Sequence, residues 1–190
     1  MTTLKSSILP GPSKFFPAPG LLPGQSLAAA RTQLRFKSSL SRKPNRVSAV
    51  GNLIVEPHYS FSDAPRIDIV VIPGGWGSRK VMQDPEILGW TQRAARTARY
   101  TSSVCTGALV LARAGLLAGR RATTHWAAYD LLESLGEGVK VIRDVRVVQD
   151  GIFSSAGVSA GIDMAFALVE ELCGPSVADE TAHYIEYLRR

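Results

Sequence analysis

The sequence predicts one α/β domain, a mostly parallel sheet with helices on both faces, running from about residue 48 onward. Two observations predict it directly. Short β-rich apolar runs alternate with longer runs of helical spacing, and the segment from Tyr100 to Ala108 reads as a strand passing straight into a helix. A third makes the fold feasible: 45% of the 190 residues are apolar, enough to bury a real core at this length.

Taken in order, residues 52–55 and 67–72 read as strands. Residues 85–98 read as an amphipathic helix with Asp84 as N-cap and Pro85 at the first position, where a missing N–H costs nothing. A strand over 100–104 leads into a helix over 106–114, which Gly115 closes. Further strands are expected at 122–124, 140–143, 145–149 and 152–154, and further helices at 126–135, 159–172 and 177–187. In open sheets of this kind chemistry collects at the carboxyl ends of the strands, where loops meet helix N-termini.

Residues 1–47 are different in kind. They read as a disordered basic segment, with Pro10, Pro12, Pro17, Pro19, Pro23 and Pro44, much Ser and Gly, and no structural period beyond residues 26–36. Eight of the 22 bases and none of the 16 acids fall there, so 14 bases face 16 acids in residues 48–190. The net charge of +6 therefore belongs to one unpatterned end and not to a folded face, which argues against a nucleic-acid partner. The longest apolar runs are broken by Arg113, Gly115 and Arg121, short of the roughly 20 residues a membrane-spanning helix needs. Cys105 and Cys173 are too few for a disulfide framework or a zinc site, which fits a reducing cytoplasm. No His, Cys and carboxylate cluster has metal-ligand spacing, and Gly74-Gly75-Trp76-Gly77 stands too far before its expected helix to be a dinucleotide fingerprint. Neither a metal nor an organic cofactor is expected.

The segment Tyr100-Thr-Ser-Ser-Val-Cys105-Thr106-Gly107-Ala108 places a cysteine at the strand-to-helix turn, with small residues after it. That is the arrangement of a nucleophile elbow, in which a sharp turn lifts the nucleophile off the sheet. The positive end of the helix dipole favours a thiolate there. A lone cysteine is more often a small buried hydrophobe, but the turn assigns Cys105 to chemistry and leaves Cys173, inside an apolar helix end, to packing. His125 follows at the end of another strand, so the two can face one pocket. As a base it suits thiol chemistry; beside Trp126 it equally suits packing and hydrogen bonding. Asp163, on the helix after Ala156-Gly157-Val158-Ser159, reads as structural.

Three runs carry a family resemblance: Ile69-Val-Val-Ile-Pro-Gly-Gly-Trp-Gly, Ser103-Val-Cys-Thr-Gly-Ala-Leu-Val-Leu-Ala and Arg121-Ala-Thr-Thr-His-Trp. Over residues 48–190 the chain resembles the ThiJ/PfpI superfamily of class I glutamine amidotransferase-like proteins. Within it the chain is most similar to the isonitrile hydratase branch, which shares the Cys-Thr pair and the Ala-Thr-Thr-His-Trp stretch. The protease-like branch has a histidine directly after the nucleophile, where this chain has Thr106.

The resemblance implies a flavodoxin-like fold and a cysteine-dependent lyase that hydrates a small electrophile, an isonitrile, to an N-substituted formamide. It implies Cys105 as nucleophile, His125 and Thr106 as its catalytic companions, and the backbone N–H groups of Gly75 and Thr106 as an anion-stabilising pair. The Thr106 hydroxyl is open to two roles, a donor beside the sulfur or a residue bonding its own helical turn. Relatives are commonly homodimers, which is the expected state here. Two other functions stay open: a ligand-sensing domain like those of AraC-type transcriptional regulators, although little chain follows the last helix, and a deglycase or chaperone-type stress protein.

The family pattern opens with a strand, an acid that hydrogen-bonds the catalytic sulfur, and a Gly-Pro turn. Here no acid precedes Glu56, so the first strand is expected to be missing or scrambled. Read one base earlier, the codons of residues 2–17 are compatible with DDTEVLDFAGPFEVFS, and those of residues 38–43 with VFTVAE. Both resemble family segments, and Ile8 then occupies the place of the lost acid. The expectation is a frameshifted reading before about residue 47; a rival, an organelle presequence, is disfavoured by the six prolines. Losing a central strand exposes sheet edges, so the chain as it stands is expected to be a weak or inactive enzyme.

Overall fold

The computed structural model describes residues 40–41 and 46–189. Residues 2–17 and 38–43, on which the shifted-codon expectation rests, lie outside the described residues except for Leu40–Ser41.

The described elements run β1 (Leu40–Ser41), β2 (Val47–Ser48), a 3-10 turn (Val50–Asn52), β3 (Ile54–Val55), β4 (Tyr59–Ser60), β5 (Ile69–Ile72), α1 (Ser78–Val81), α2 (Pro85–Thr97), β6 (Tyr100–Val104) and α3 (Gly107–Arg113). Then follow β7 (Arg121–Ala122), a 3-10 turn (Trp126–Ala128), α4 (Tyr129–Leu135), β8 (Lys140–Val141), β9 (Val147–Gln149), β10 (Phe153–Ser155), α5 (Ala160–Cys173) and α6 (Pro175–Tyr184). The central sheet has the order β5-β6-β10-β9, parallel except for β9, which returns antiparallel to β10. Outside it, β1 pairs β4 and β7 pairs β8 in parallel, while β2 pairs β3 antiparallel. Among the described residues β5 is an edge of the central sheet.

Register decides what each face buries. Ile69 pairs with Tyr100 and Ile72 with Ser103, and successive side chains alternate across a strand. Val70 and Ile72 therefore point to one face, where they pack with Trp90 and Ala94 of α2, residues 108–112 of α3 and Leu132 of α4. Ile69, Tyr100 and Val104 point to the other, against Phe153 and against Met164 and Leu168 of α5. Helices thus cover both faces of a mostly parallel sheet, the predicted fold class. A small third cluster of Phe166, Ala178 and Ala182 holds α6 on α5.

Helix α2 begins where its residues demand: Asp84 accepts hydrogen bonds from the N–H groups of Glu86 (3.0 Å) and Ile87 (3.4 Å), with Pro85 at the first helical position. Several boundaries differ from expectation for reasons visible in the hydrogen bonds. The run 122–124 leaves its ladder after Ala122, because the Thr123 N–H donates to Ser154 Oγ (2.9 Å). The run 126–135 divides into a 3-10 turn and α4, since the His125 ring accepts the Ala127 N–H and tightens the first turn. The run 52–55 shortens to Ile54–Val55 behind a turn with Gly51 at φ 77°. Helix α6 starts at Pro175, two residues before the expected 177, and ends at Tyr184. A four-residue helix, α1, begins directly after Gly74-Gly75-Trp76-Gly77, where no helix was expected before 85. Among the described residues no helix is long and apolar enough to cross a membrane.

Candidate active site

The site is assembled on Cys105, between β6 and α3. Its φ is 56°, a left-handed conformation that a non-glycine residue adopts at a cost and holds only when neighbours fix it. The fixing contacts are on both sides of the peptide. The Cys105 N–H is shared between the carbonyls of Ser155 (3.0 Å) and Ala156 (3.1 Å) at the end of β10. The Cys105 carbonyl accepts from Thr124 Oγ1 (2.8 Å), just past β7. Three strand ends therefore meet at one half-buried thiol.

Two glycines let the backbone close around it. A methyl group at Gly74 would lie 2.8 Å from Cys105 Cβ and 2.7 Å from both Thr106 N and Val104 O. One at Gly107 would lie 2.1 Å from the Ile72 carbonyl oxygen, so α3 sits on the end of β5 only because that position has no side chain.

Thr106 is buried, and its hydroxyl does neither of the two things expected of it. Oγ1 donates to the Gly75 carbonyl (3.0 Å) while accepting from the Gly75 N–H (2.9 Å), which latches the loop after β5 to the elbow. Ser78 adds two more bonds to the same carbonyl, from Oγ at 2.8 Å and from its N–H at 3.1 Å. The Gly75 N–H is thus engaged within the protein, whereas the Thr106 N–H lies at the free end of α3, where first-turn donors have no intrahelical acceptor.

His125 stands at the same corner, next in chain to Thr124. Its Nδ1 accepts the Ala127 N–H at 3.2 Å, an arrangement that favours the Nε2–H tautomer. The ring rests on Gly157, where a methyl would lie 2.6 Å from Cδ2, and Gly157 adjoins the Ala156 carbonyl that holds Cys105. One residue on, Val158 has φ 24°, an outlying conformation for a β-branched residue. The structure accordingly gathers Cys105, Thr106, Gly75 and His125 around the carboxyl ends of the strands.

Sequence reasoning missed Gly74, Thr124 and Gly157; the Gly-Gly and Thr-Thr pairs were visible as motifs, but their partners lie far away in the chain. Cys173 ends α5 in an exposed position. Asp163 is bonded by Arg146 Nε and by Tyr187 Oη (2.8 Å), pinning the C-terminal segment to α5 and β9. The hydrogen bond to Asp163 and its negative charge raise the pKa of Arg146 and of Tyr187 above their ordinary values. Near β7, the Arg121 N–H bonded to Asp150 at 2.8 Å holds that carboxyl below the usual carboxylate range. Among the described residues no group of three His, Cys, Asp or Glu is placed to hold a metal ion.

The model of the DJ-1/PfpI family matches residues 23–171. The chain belongs to the DJ-1/PfpI family. Isonitrile hydratase from Pseudomonas putida is 44% identical over 142 residues, which is 74% of this chain and 61% of the relative. The HTH-type transcriptional regulator CdhR of Pseudomonas aeruginosa is 28% identical over 139 residues, 73% of this chain and 41% of the regulator. Among solved structures, a ThiJ/PfpI family protein from Pseudomonas syringae superposes with a TM-score of 0.73 at 32% identity, covering 80% of this chain and 62% of that one. The likeness supports the flavodoxin-like architecture of this DJ-1/PfpI chain, which spans about six-tenths of the hydratase and four-tenths of the regulator.

Proposed function

We propose that this DJ-1/PfpI protein is a cysteine-dependent isonitrile hydratase, converting R–N≡C and water to R–NH–CHO. The observation that carries the reading is Cys105 itself, a half-buried thiol held at φ 56° by three strand ends, in a chain 44% identical to an isonitrile hydratase. Such an elbow presents sulfur to a small electrophile while the backbone stays fixed.

In the first step the Cys105 sulfur bonds to the terminal carbon, which takes up a proton, giving the thioimidate R–N=CH–S–Cys. Water then adds across C=N, oxygen to carbon and a proton to nitrogen. The hydroxyl proton then leaves as the C–S bond breaks, releasing the formamide and regenerating the thiolate, and it replaces the proton that carbon took up in the first step. Charge that develops during these steps meets the Thr106 N–H, a backbone donor that no described residue's carbonyl accepts. With Nδ1 of His125 turned to the Ala127 N–H, its Nε2 is the ring nitrogen that meets the substrate nitrogen, as a hydrogen-bond donor. Thr106 Oγ1 acts through the Gly75 loop, keeping it closed on the elbow.

The test follows loss of the isonitrile and appearance of the formamide by infrared spectroscopy and chromatography. Wild type is expected to turn over slowly, as befits a chain with no acid before Glu56, and Cys105→Ala to lose turnover; equal rates in both would remove the reading. The similarity to CdhR supports a second one, a ligand-sensing domain, in which Cys105→Ser leaves ligand affinity intact and no substrate is consumed. A cytoplasmic location and a homodimeric state complete the proposal.

A further inference from the structure

Three loops border Cys105, and each touches it: the loop after β5 through Gly74, the loop after β7 through Thr124, and the loop after β10 through the Ala156 carbonyl. Within two residues of that contact, each loop turns one large apolar side chain out to solvent. Trp76 is 81% exposed, Trp126 73% and Val158 82%. Single exposed hydrophobics are ordinary, but two tryptophans and a valine at the rim of one nucleophile are not, because exposed apolar surface of this kind marks sites of association.

The two indoles are also held in place. The Arg79 guanidinium lies over the Trp76 ring at 5.1 Å, and that residue's loop is closed by the bonds among Gly75, Thr106 and Ser78. The Trp126 ring stands 5.3 Å from the His125 ring, which is itself fixed by the Ala127 N–H and by Gly157. Side chains restrained in this way bind a hydrophobic ligand with little further loss of freedom.

We propose that Trp76 and Trp126 are specificity-determining residues that grip the carbon skeleton of the substrate, so that the site selects electrophiles with a bulky apolar substituent over small ones. The assignment rests on the isonitrile reading and adds the feature that reads R. The polar head group reaches Cys105, while the two indoles take R in an offset or edge contact.

The experiment compares kcat/KM for benzyl isonitrile and methyl isonitrile in wild type, Trp76→Ala, Trp126→Ala and the Phe variants at both positions. Each Ala variant is expected to lower the benzyl-to-methyl ratio by about three- to tenfold, chiefly through KM, and each Phe variant to restore most of it. A ratio unchanged in both Ala variants overturns the proposal. So does conversion of a dimer to monomer by those variants in sedimentation with the ratio intact, which would make the indoles a contact between two copies. Should wild type hydrate neither isonitrile, the isonitrile reading fails by itself, and the rim is judged with N-benzylformamide. Saturable quenching of tryptophan fluorescence, with affinity weakened in each Ala variant, supports it; no saturable quenching, or an affinity unchanged in both variants, overturns it.

Discussion

Replacing Gly74 by alanine asks whether the loop after β5 really presses on the elbow. The added methyl would stand 2.7 Å from Thr106 N, 2.7 Å from Val104 O and 2.8 Å from Cys105 Cβ. Carbon reaches ordinary contact at about 3.5–4.0 Å, so each neighbour has to withdraw by about 0.8 Å. None of the three is the end of a flexible side chain. Overpacking of this kind costs about 1–3 kcal/mol, and at this chain length each kcal/mol lowers Tm by about 2–4 °C. Gly74→Ala should therefore melt several degrees lower, and a displacement near 1 Å at the nucleophile should cost activity on the order of 100-fold. Gly89→Ala is the control. It lies inside α2, where the methyl meets only Arg93 Nη1 at 3.4 Å, and helix propensity favours alanine by about 0.5–1 kcal/mol. Thermal unfolding by circular dichroism reads both. If Gly74→Ala melts with wild type and keeps full activity, the close approach assigned to this loop is wrong.

Three further outcomes follow from other parts of the molecule. Asp84→Ala should cost about 0.5–2 kcal/mol in urea unfolding, because the Glu86 and Ile87 N–H groups lose their cap; an unchanged midpoint would remove the cap from the account. Asp150 has a lowered native value, so its contribution is complete above the ordinary carboxylate range and fades as acid takes the pH down through that native value. Asp150→Asn should then be less stable than wild type at neutral pH and converge with it in acid, and a gap that persists in acid would contradict the assignment. For residues 1–47, we propose a frameshifted reading, so the intact mass of the protein from its natural DNA should match the shifted residues; a mass matching the sequence as it stands would dismiss the frameshift.

The parts legible in the sequence are those set by neighbours close in the chain. Strand β6 and helix α2 fell where expected because alternation, an Asp-Pro start and 3.6-residue spacing act over a few residues. The Cys105 elbow was legible for the same reason. What escaped depends on distant partners. The Thr106 hydroxyl answers to Gly75, 31 residues earlier, and no local pattern announces that pairing. Thr123 and Thr124 read as continuing strand, yet their polar groups turn to Ser154 and Cys105, so the ladder ends where the site begins. Helix α1, four residues long, is too short for a period to show and forms because the Gly75 carbonyl accepts the Ser78 N–H and hydroxyl.

The most direct test is rapid-quench mass spectrometry of the protein mixed with benzyl isonitrile, with the modified residue located by peptide mapping. A transient adduct is expected on Cys105, equal in mass to one isonitrile added to the thiol, decaying as N-benzylformamide forms and missing from Cys105→Ala. Formamide released at the wild-type rate by Cys105→Ala, or an adduct on Cys173 in place of Cys105, would contradict it.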